Sequence, residues 1–462
     1  MRYISTRGQT APQSFADILL AGLAPDGGLF LPESWPQIPA DEIFGFAGRH
    51  YQTVAFAILK RFVGDSFTDA ELREDIDVAY SDFDAPDIAP LVEIDKGKYL
   101  LELFHGPTFA FKDIAMQVLG RLFARALAKK GGKATVVAAT SGDTGSAAIA
   151  ALGGLPNIEV FVMHPKGRVS EVQRRQMTTA PFANVHNIAL EGTFDDAQSI
   201  VKSLFADGAF AKKAHLTAVN SINFARIAAQ SVYYFTAAVK LEKPATFVVP
   251  TGNFGDVFAG EAAIRMGLPV HKLVVGTNAN DIVARALNEG MYASDTVLST
   301  LSPSMDIQVS SNFERALFEA SSRDAVWTRS AMESFAVKRS LKLPDELRQR
   351  LRARYDAGRA DDAETLELIA RTFRETGRIV DPHTAVALRV AEKLDKKLED
   401  PVVVLSTAHP AKFPDAVARA TGQKVPLPPR LAALYDGVER VTVLPHDLGA
   451  VRGFIEERLR PA

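Results

Sequence analysis

Short runs of apolar, largely β-branched residues alternate with longer stretches whose apolar positions recur three or four apart, and this alternation dominates the chain from residue 98 onward. TVVAAT (135–140), IEVFVMHP (158–165), NVHNIALEG (184–192), ATFVVPT (245–251), KLVVGTN (272–278) and PVVVLST (401–407) are the short runs. Their length and content suit strands buried on both faces. DDAQSIVKSLFAD (195–207) and INFARIAAQSVYYFTAAVKL (222–241) carry the period of amphipathic helices. Strands of this kind alternating with helices predict the α/β class, with parallel sheets covered by helices on each side. Some 300 residues of the pattern exceed what a single core holds, roughly 250–300 residues at most, so two open α/β domains are expected.

The first hundred residues follow another pattern. FADILLAGL (15–23) and YQTVAFAILKRFV (51–63) predict helices, and Asp26-Gly27-Gly28 predicts a turn before the strand-like LFLP. The stretch 339–378 reads as charged, solvated helix, KVPLPPRL (424–431) as a proline-rich connection, and the last thirty residues as an appended strand and helix. The expected division is 1–97, a mainly helical region; 98–225, a smaller α/β domain; 226–429, a larger one; and 430–462, an extension.

Composition narrows the chemistry. The 462 residues are 47% hydrophobic, and 53 basic side chains face 55 acidic ones, so no strong field draws the chain to nucleic acid or an anionic membrane. A small-molecule partner is expected. The absence of cysteine excludes disulfides, thiolate catalysis and cysteine-ligated clusters, and accords with a reducing cytoplasm. No apolar run reaches the roughly 18 residues of a membrane span, and MRYISTRGQT has no long apolar segment, so a soluble, cytoplasmic chain is expected. The nine histidines form neither HExxH nor any other metal-ligand spacing, so a protein-ligated zinc is not expected.

Three strand candidates end in small polar loops that lead into helices, and ligands of open α/β sheets bind at such strand ends. TSGDTGSAA (140–148) is either an anion site built on a helix start or an ordinary turn capped by Ser141 or Asp143. PTGNFGDVFAG (250–260) packs Gly252, Asn253, Gly255 and Asp256 behind a buried strand, and is either a phosphate-binding nest of backbone N–H groups or a plain loop. It is neither a Walker loop nor a dinucleotide fingerprint. In LSTAHPAKFPDAV (405–417), Ser406, Thr407, His409 and Lys412 crowd one strand exit, with His409 a catalytic base or a structural hydrogen-bonder. Lys112 completes the set. It follows Phe109-Ala110-Phe111 and is either paired with Asp113 or a neighbouring acid, or a nucleophile whose apolar setting favours the neutral amine. A lysine for an aldehyde, a nest for a phosphate and a third partner for a ring nitrogen together suit pyridoxal phosphate.

In their order and spacing these motifs resemble the threonine synthase family, pyridoxal-phosphate enzymes of fold type II, in its longer bacterial and fungal branch. The resemblance runs through YISTRG (3–8), DGGLFLPE (26–33), LFHGPTFAFKD (103–113), ATSGDTGSAA (139–148), NSINFARI (220–227), PTGNFGD (250–256), PSMDIQVSSNFER (303–315) and STAHPAKFP (406–414). It implies two α/β domains of the tryptophan synthase β type with the cofactor between them. It also implies that Lys112 holds the cofactor as a Schiff base, that Gly252, Asn253, Phe254, Gly255 and Asp256 hold its phosphate, and that the Thr407 hydroxyl meets its pyridine nitrogen. Ser141, Gly142, Asp143, Thr144 and Gly145 would receive the substrate carboxylate, Asp143 standing where related enzymes often carry asparagine. Arg226 with Asn220 and Ser221, joined by Ser310, Asn312 or Arg315, would grip the substrate phosphate. The implied reaction turns O-phospho-L-homoserine and water into L-threonine and phosphate by γ-elimination and β-hydration, in a monomer. A related dehydratase or phospho-lyase of the same fold type, or a catalytically silent cofactor-bearing scaffold, is the alternative.

Overall fold

The computed structural model describes residues 1–459 and contains two main sheets. The larger has six strands, β3 (Leu91–Asp95), β4 (Lys98–Glu102), β9 (Ala245–Pro250), β10 (Val270–Thr277), β13 (Tyr355–Arg359) and β14 (Val402–Ser406), in the order β13-β10-β9-β14-β4-β3. The smaller has five, β5 (Ala134–Ala139), β6 (Ile158–Pro165), β7 (Val185–Glu191), β8 (Leu216–Thr217) and β15 (Thr442–Pro445), ordered β15-β7-β6-β5-β8. Two antiparallel pairs complete the list, β1 (Tyr3–Ser5) with β2 (Phe30–Pro32), and β11 (Met291–Ala293) with β12 (Ser340–Lys342). All six strands expected from the apolar runs are present, and β6 is buried along its whole length.

The structure departs from the expected pattern in three places. The smaller sheet is parallel throughout, but β3 runs antiparallel to β4 at the edge of the larger one, because a two-residue turn at Lys96-Gly97 links them with no crossover. β13, with the sequence YDAGR, lies inside the stretch read as charged helix; it holds an edge, where one neighbour and half-burial suffice. Two strands also cross the expected domain lines: β4 pairs with β14 in the larger sheet, and β15 adds to β7 in the smaller one.

The helix Phe224–Leu241 is buried at every position from Phe224 to Val239. It packs against the helices Lys112–Lys130, Tyr51–Val63 and Gly255–Arg265, so the N-terminal helices join the common core. A cluster of Tyr3, Trp35, Phe62, Phe224 and Phe258 rings makes that join. Such aromatic contacts contribute beyond their buried area, about 0.5–1.5 kcal/mol per pair. Among the described residues no helix is long and apolar enough to cross a membrane.

Candidate active site

Lys112 opens the helix Lys112–Lys130, and the turn before it is pinned to the exit of β14. Phe111 N–H donates to the Thr407 carbonyl at 2.8 Å, His409 N–H to the Phe109 carbonyl at 3.1 Å, and Ala110 bridges to Ala408. Phe109 takes a left-handed φ of 58° in this turn. Asp113 holds the same turn: its carboxylate accepts from Thr108 N–H at 2.8 Å and from the Thr108 hydroxyl at 2.6 Å. Burial pushes the Asp113 carboxyl up, against the Thr108 hydrogen bonds and the charge of Lys412. Asp113 is therefore not the partner of Lys112. The lysine Nζ lies 3.3 Å from Asp143 Oδ2 and 3.3 Å from the Ser304 hydroxyl. Burial lowers its pKa; Asp143 opposes this, and the charges of Lys412 and Arg226 add to it.

Asp143 is the hub of the site. It begins the helix Asp143–Leu152 and is buried, with Oδ1 accepting from Lys412 Nζ at 2.8 Å and from Gln173 Nε2 at 2.8 Å. Oδ2 accepts from the Ser304 hydroxyl at 3.2 Å as well as from Lys112. Burial alone would raise the pKa of this carboxyl, but the two lysines outweigh it and hold it well below the usual range. Ser304 is itself placed by a histidine: its N–H donates to His383 Nε2 at 3.3 Å. That leaves His383 Nδ1 to carry the proton it shares with Asp381 Oδ1 at 2.8 Å. Sequence reading assigned no role to Gln173, Ser304, Asp381, His383 or Lys412. Asp381-Pro382-His383 reads only as a helix start, and nothing in it says that the helix end faces the lysine.

The loop at 250–256 is a built cradle. A Cβ at Gly252 would stand 2.7 Å from the Ser304 carbonyl oxygen, so only glycine fits there. Phe254 adopts a left-handed φ of 63° at the start of the helix Gly255–Arg265, whose first amides lack intrahelical acceptors. The SSNFER stretch braces this loop from behind. The Ser310 hydroxyl donates to the Gly252 carbonyl at 2.8 Å, and Asn312 donates to the Asn253 carbonyl from N and Nδ2, each at 3.0 Å. Arg315 lies behind them, donating to the Phe30 carbonyl at 3.1 Å, to the Ile222 carbonyl at 2.6 Å and to Asn312 Oδ1. Its guanidinium is thus engaged with the protein's own carbonyls. The Asp256 carboxylate meets the hydroxyls of Tyr233 and Tyr234, and burial pushes it up to about 7.

Arg226 stands apart from these bonded groups. It is buried, its Nε has no hydrogen-bond partner, and no ion pair engages it among the described residues. Burial brings it down to about 10, against the nearby Tyr233 and Asp256. Ser221 is half-buried next to Gly255, whereas Asn220 is exposed and its side chain accepts from Ile222 N–H at 3.3 Å. In the 140–145 loop, the Thr140 hydroxyl oxygen accepts from the amides of Gly142 and Gly145, both at 2.9 Å. Ser141 and Thr144 are half-buried beside them. Thr407 is buried at the end of β14. His409 caps the turn Pro410–Lys412 by accepting from Ala411 N–H at 3.2 Å, and burial, helped by His105, lowers it to about 4. Of the two roles open to His409, the structure gives it the structural one. His105 pairs with Glu102 at 2.9 Å, and Glu102 in turn with Arg378 at 2.6 Å.

Three family models cover the chain: "Threonine synthase N terminus" over residues 2–80, "Pyridoxal-phosphate dependent enzyme" over 85–408 and "Threonine synthase, C-terminal" over 384–455. A threonine synthase from Pseudomonas aeruginosa is 48% identical across 99% of this chain and 98% of its own. The crystal structure of a PLP-bound threonine synthase from Brucella melitensis superposes with a TM-score of 0.96 at 46% identity, covering 100% of both chains. The yeast threonine synthase structure superposes with a TM-score of 0.93 at 38% identity, covering 99% of this chain and 98% of its own. The residues present suit the cofactor: a buried lysine whose pKa is lowered by burial, a loop with room for backbone only at Gly252, and a buried arginine lacking an anion. Built on two α/β sheets with a lysine between them, the chain belongs to the threonine synthase family of pyridoxal-phosphate-dependent enzymes.

Proposed function

We propose that the substrate is O-phospho-L-homoserine, converted with water to L-threonine and phosphate, and that the observation carrying this choice is the unpartnered Arg226. A buried guanidinium without an acceptor is costly, and a phosphate monoester offers the charge and fork geometry it lacks. Pyridoxal phosphate, when bound, supplies an aldehyde for Lys112 and an electron sink that makes protons on the adjacent carbons acidic. The chain's residues do the rest. The amides of Gly252 to Asp256 would hold the cofactor phosphate and the Thr407 hydroxyl would serve its ring nitrogen, while the amides of Ser141, Asp143 and Thr144, those of Gly142 and Gly145 being taken by Thr140, would receive the substrate carboxylate. Lys112 Nζ removes and returns protons, with Ser304 and Asp143 fixing its position. Arg226, with Ser221 at the loop's edge, holds the phosphate until the bond from the γ carbon to oxygen breaks. Water then adds at the β carbon.

In this reading the two working domains that close on the substrate are drawn mainly from segments 98–225 and 226–429, with β4 carried in the larger one and β15 of the 430–462 extension in the smaller. The chain acts as a monomer in the cytoplasm. Product analysis tests the substrate: threonine with phosphate is the expected outcome, and 2-oxobutanoate with ammonia and phosphate would instead mark a lyase. Lys112→Ala should lower phosphate release by at least about 10³-fold. An unimpaired variant would remove Lys112 from the mechanism.

A further inference from the structure

Two lysines share one aspartate at this site, and the structure treats them unequally. Lys412 is fully buried, and its Nζ holds two good acceptors, the Thr108 carbonyl at 2.7 Å and Asp143 Oδ1 at 2.8 Å. Lys112 Nζ reaches the other oxygen of the same carboxylate at 3.3 Å and the Ser304 hydroxyl at 3.3 Å, both long for a charged donor. We propose that Lys412 is a positioning residue that occupies Asp143, so that Lys112 is the lysine of the pair free to give up its proton. The same side chain ties Thr108, and so the turn leading into Lys112, to the exit of β14.

The surroundings support this division. Lys412 and Arg226 are buried cationic side chains that both act on Lys112, Asp143 is the carboxylate between the lysines, Asp113 and His383 lie next in range, and Asp256 acts on Arg226. Two neighbouring cations acting on Lys112 favour release of its less well held proton. The weaker contacts belong to Lys112, whose pKa is lowered by burial and by Lys412 and Arg226, while Asp143 alone raises it. Removing Lys412 would let Asp143 turn its full charge on Lys112. Removing the charge of Asp143 would do the opposite.

The inference rests on Lys112 being the cofactor lysine, and competitive acetylation with acetic anhydride separates the two claims. The full chain, freed of cofactor, is labelled across a pH series, and each lysine is read by peptide mass spectrometry. Lys112 should label with a midpoint below that of exposed lysines, while Lys412 resists labelling. In Lys412→Met the Lys112 midpoint should rise by about one pH unit, a roughly tenfold loss of free amine at a given pH. Lys412→Arg should shift it by less than half as much, and Asp143→Asn should move it downward. An unchanged midpoint in Lys412→Met, or equal shifts in the methionine and arginine variants, would overturn the inference. Should the methionine variant fail to fold, a flat or upward result for Asp143→Asn overturns it instead. If parent Lys112 labels like a surface lysine, the function reading is the one that fails.

Discussion

Asp143 and Asp256 occupy matching places in two strand–loop–helix units, and they have opposite electrostatic fates. Each sits in the first turn of a helix after a buried strand, Asp143 behind β5 and Asp256 behind β9, and each is buried. Asp143 meets two ammonium groups and is held well below the usual carboxylate range. Asp256 meets two phenols and is pushed up to about 7. Burial is the largest influence on both and acts in the same direction. The partners decide the outcome, so one loop places a fixed negative charge beside Lys112, and the other biases its acid toward the neutral form in the loop proposed to take an anion.

This contrast breaks hardest at Asp143. Asp143→Asn leaves Lys412 charged and buried with no carboxylate, so the unfolding free energy should fall by about 3–5 kcal/mol in urea titrations, with turnover falling alongside it. The equivalent change at Asp256 should act in the other direction and depend on pH. Because burial raises the Asp256 carboxyl to about 7, the folded protein keeps a proton that the unfolded chain gives up above about pH 4. Its stabilising contribution is therefore complete below that pH and is lost as the pH rises through about 7. Asparagine does not titrate. The stability of Asp256→Asn relative to the parent should thus improve by about 2–3 kcal/mol between pH 5 and pH 8, measured by paired denaturant curves. A difference that stays flat across this range would show that Asp256 is ionised in the fold. The smallest effect belongs to the brace behind the cradle: Ser310→Ala removes one hydrogen bond to Gly252 and should cost about 1 kcal/mol, with a several-fold weaker hold on the cofactor in equilibrium dialysis.

Much of this was legible in the residues. The apolar runs placed β5, β6, β7, β9, β10 and β14, because strands buried on both faces announce themselves without help from neighbours. The sequence YDAGR of β13 was not legible, since its strand character comes from pairing with β10. Glycine and small polar residues marked three of the loops that converge on the lysine. Arg226 and Arg315, however, look alike in sequence. Only the carbonyls of Phe30 and Ile222, brought from distant segments, show that Arg315 is engaged and Arg226 is not. The same limit hid Ser304, His383 and Lys412, whose roles arise from side-chain distances across three separate loops.

The order of the larger sheet also governs when it can form during synthesis. β14 lies in the middle of that sheet, between β9 and β4. As the chain leaves the ribosome, the β3–β4 hairpin emerges early and waits about 300 residues for its neighbour, a separation that slows folding because the loop must close before the contact repays it. The Lys112 turn hangs on that same late strand through Thr407 and Ala408. Until β14 is made, the turn before Lys112 lacks these contacts, and under the proposed function a nascent chain that meets the cofactor early has no arranged place for it.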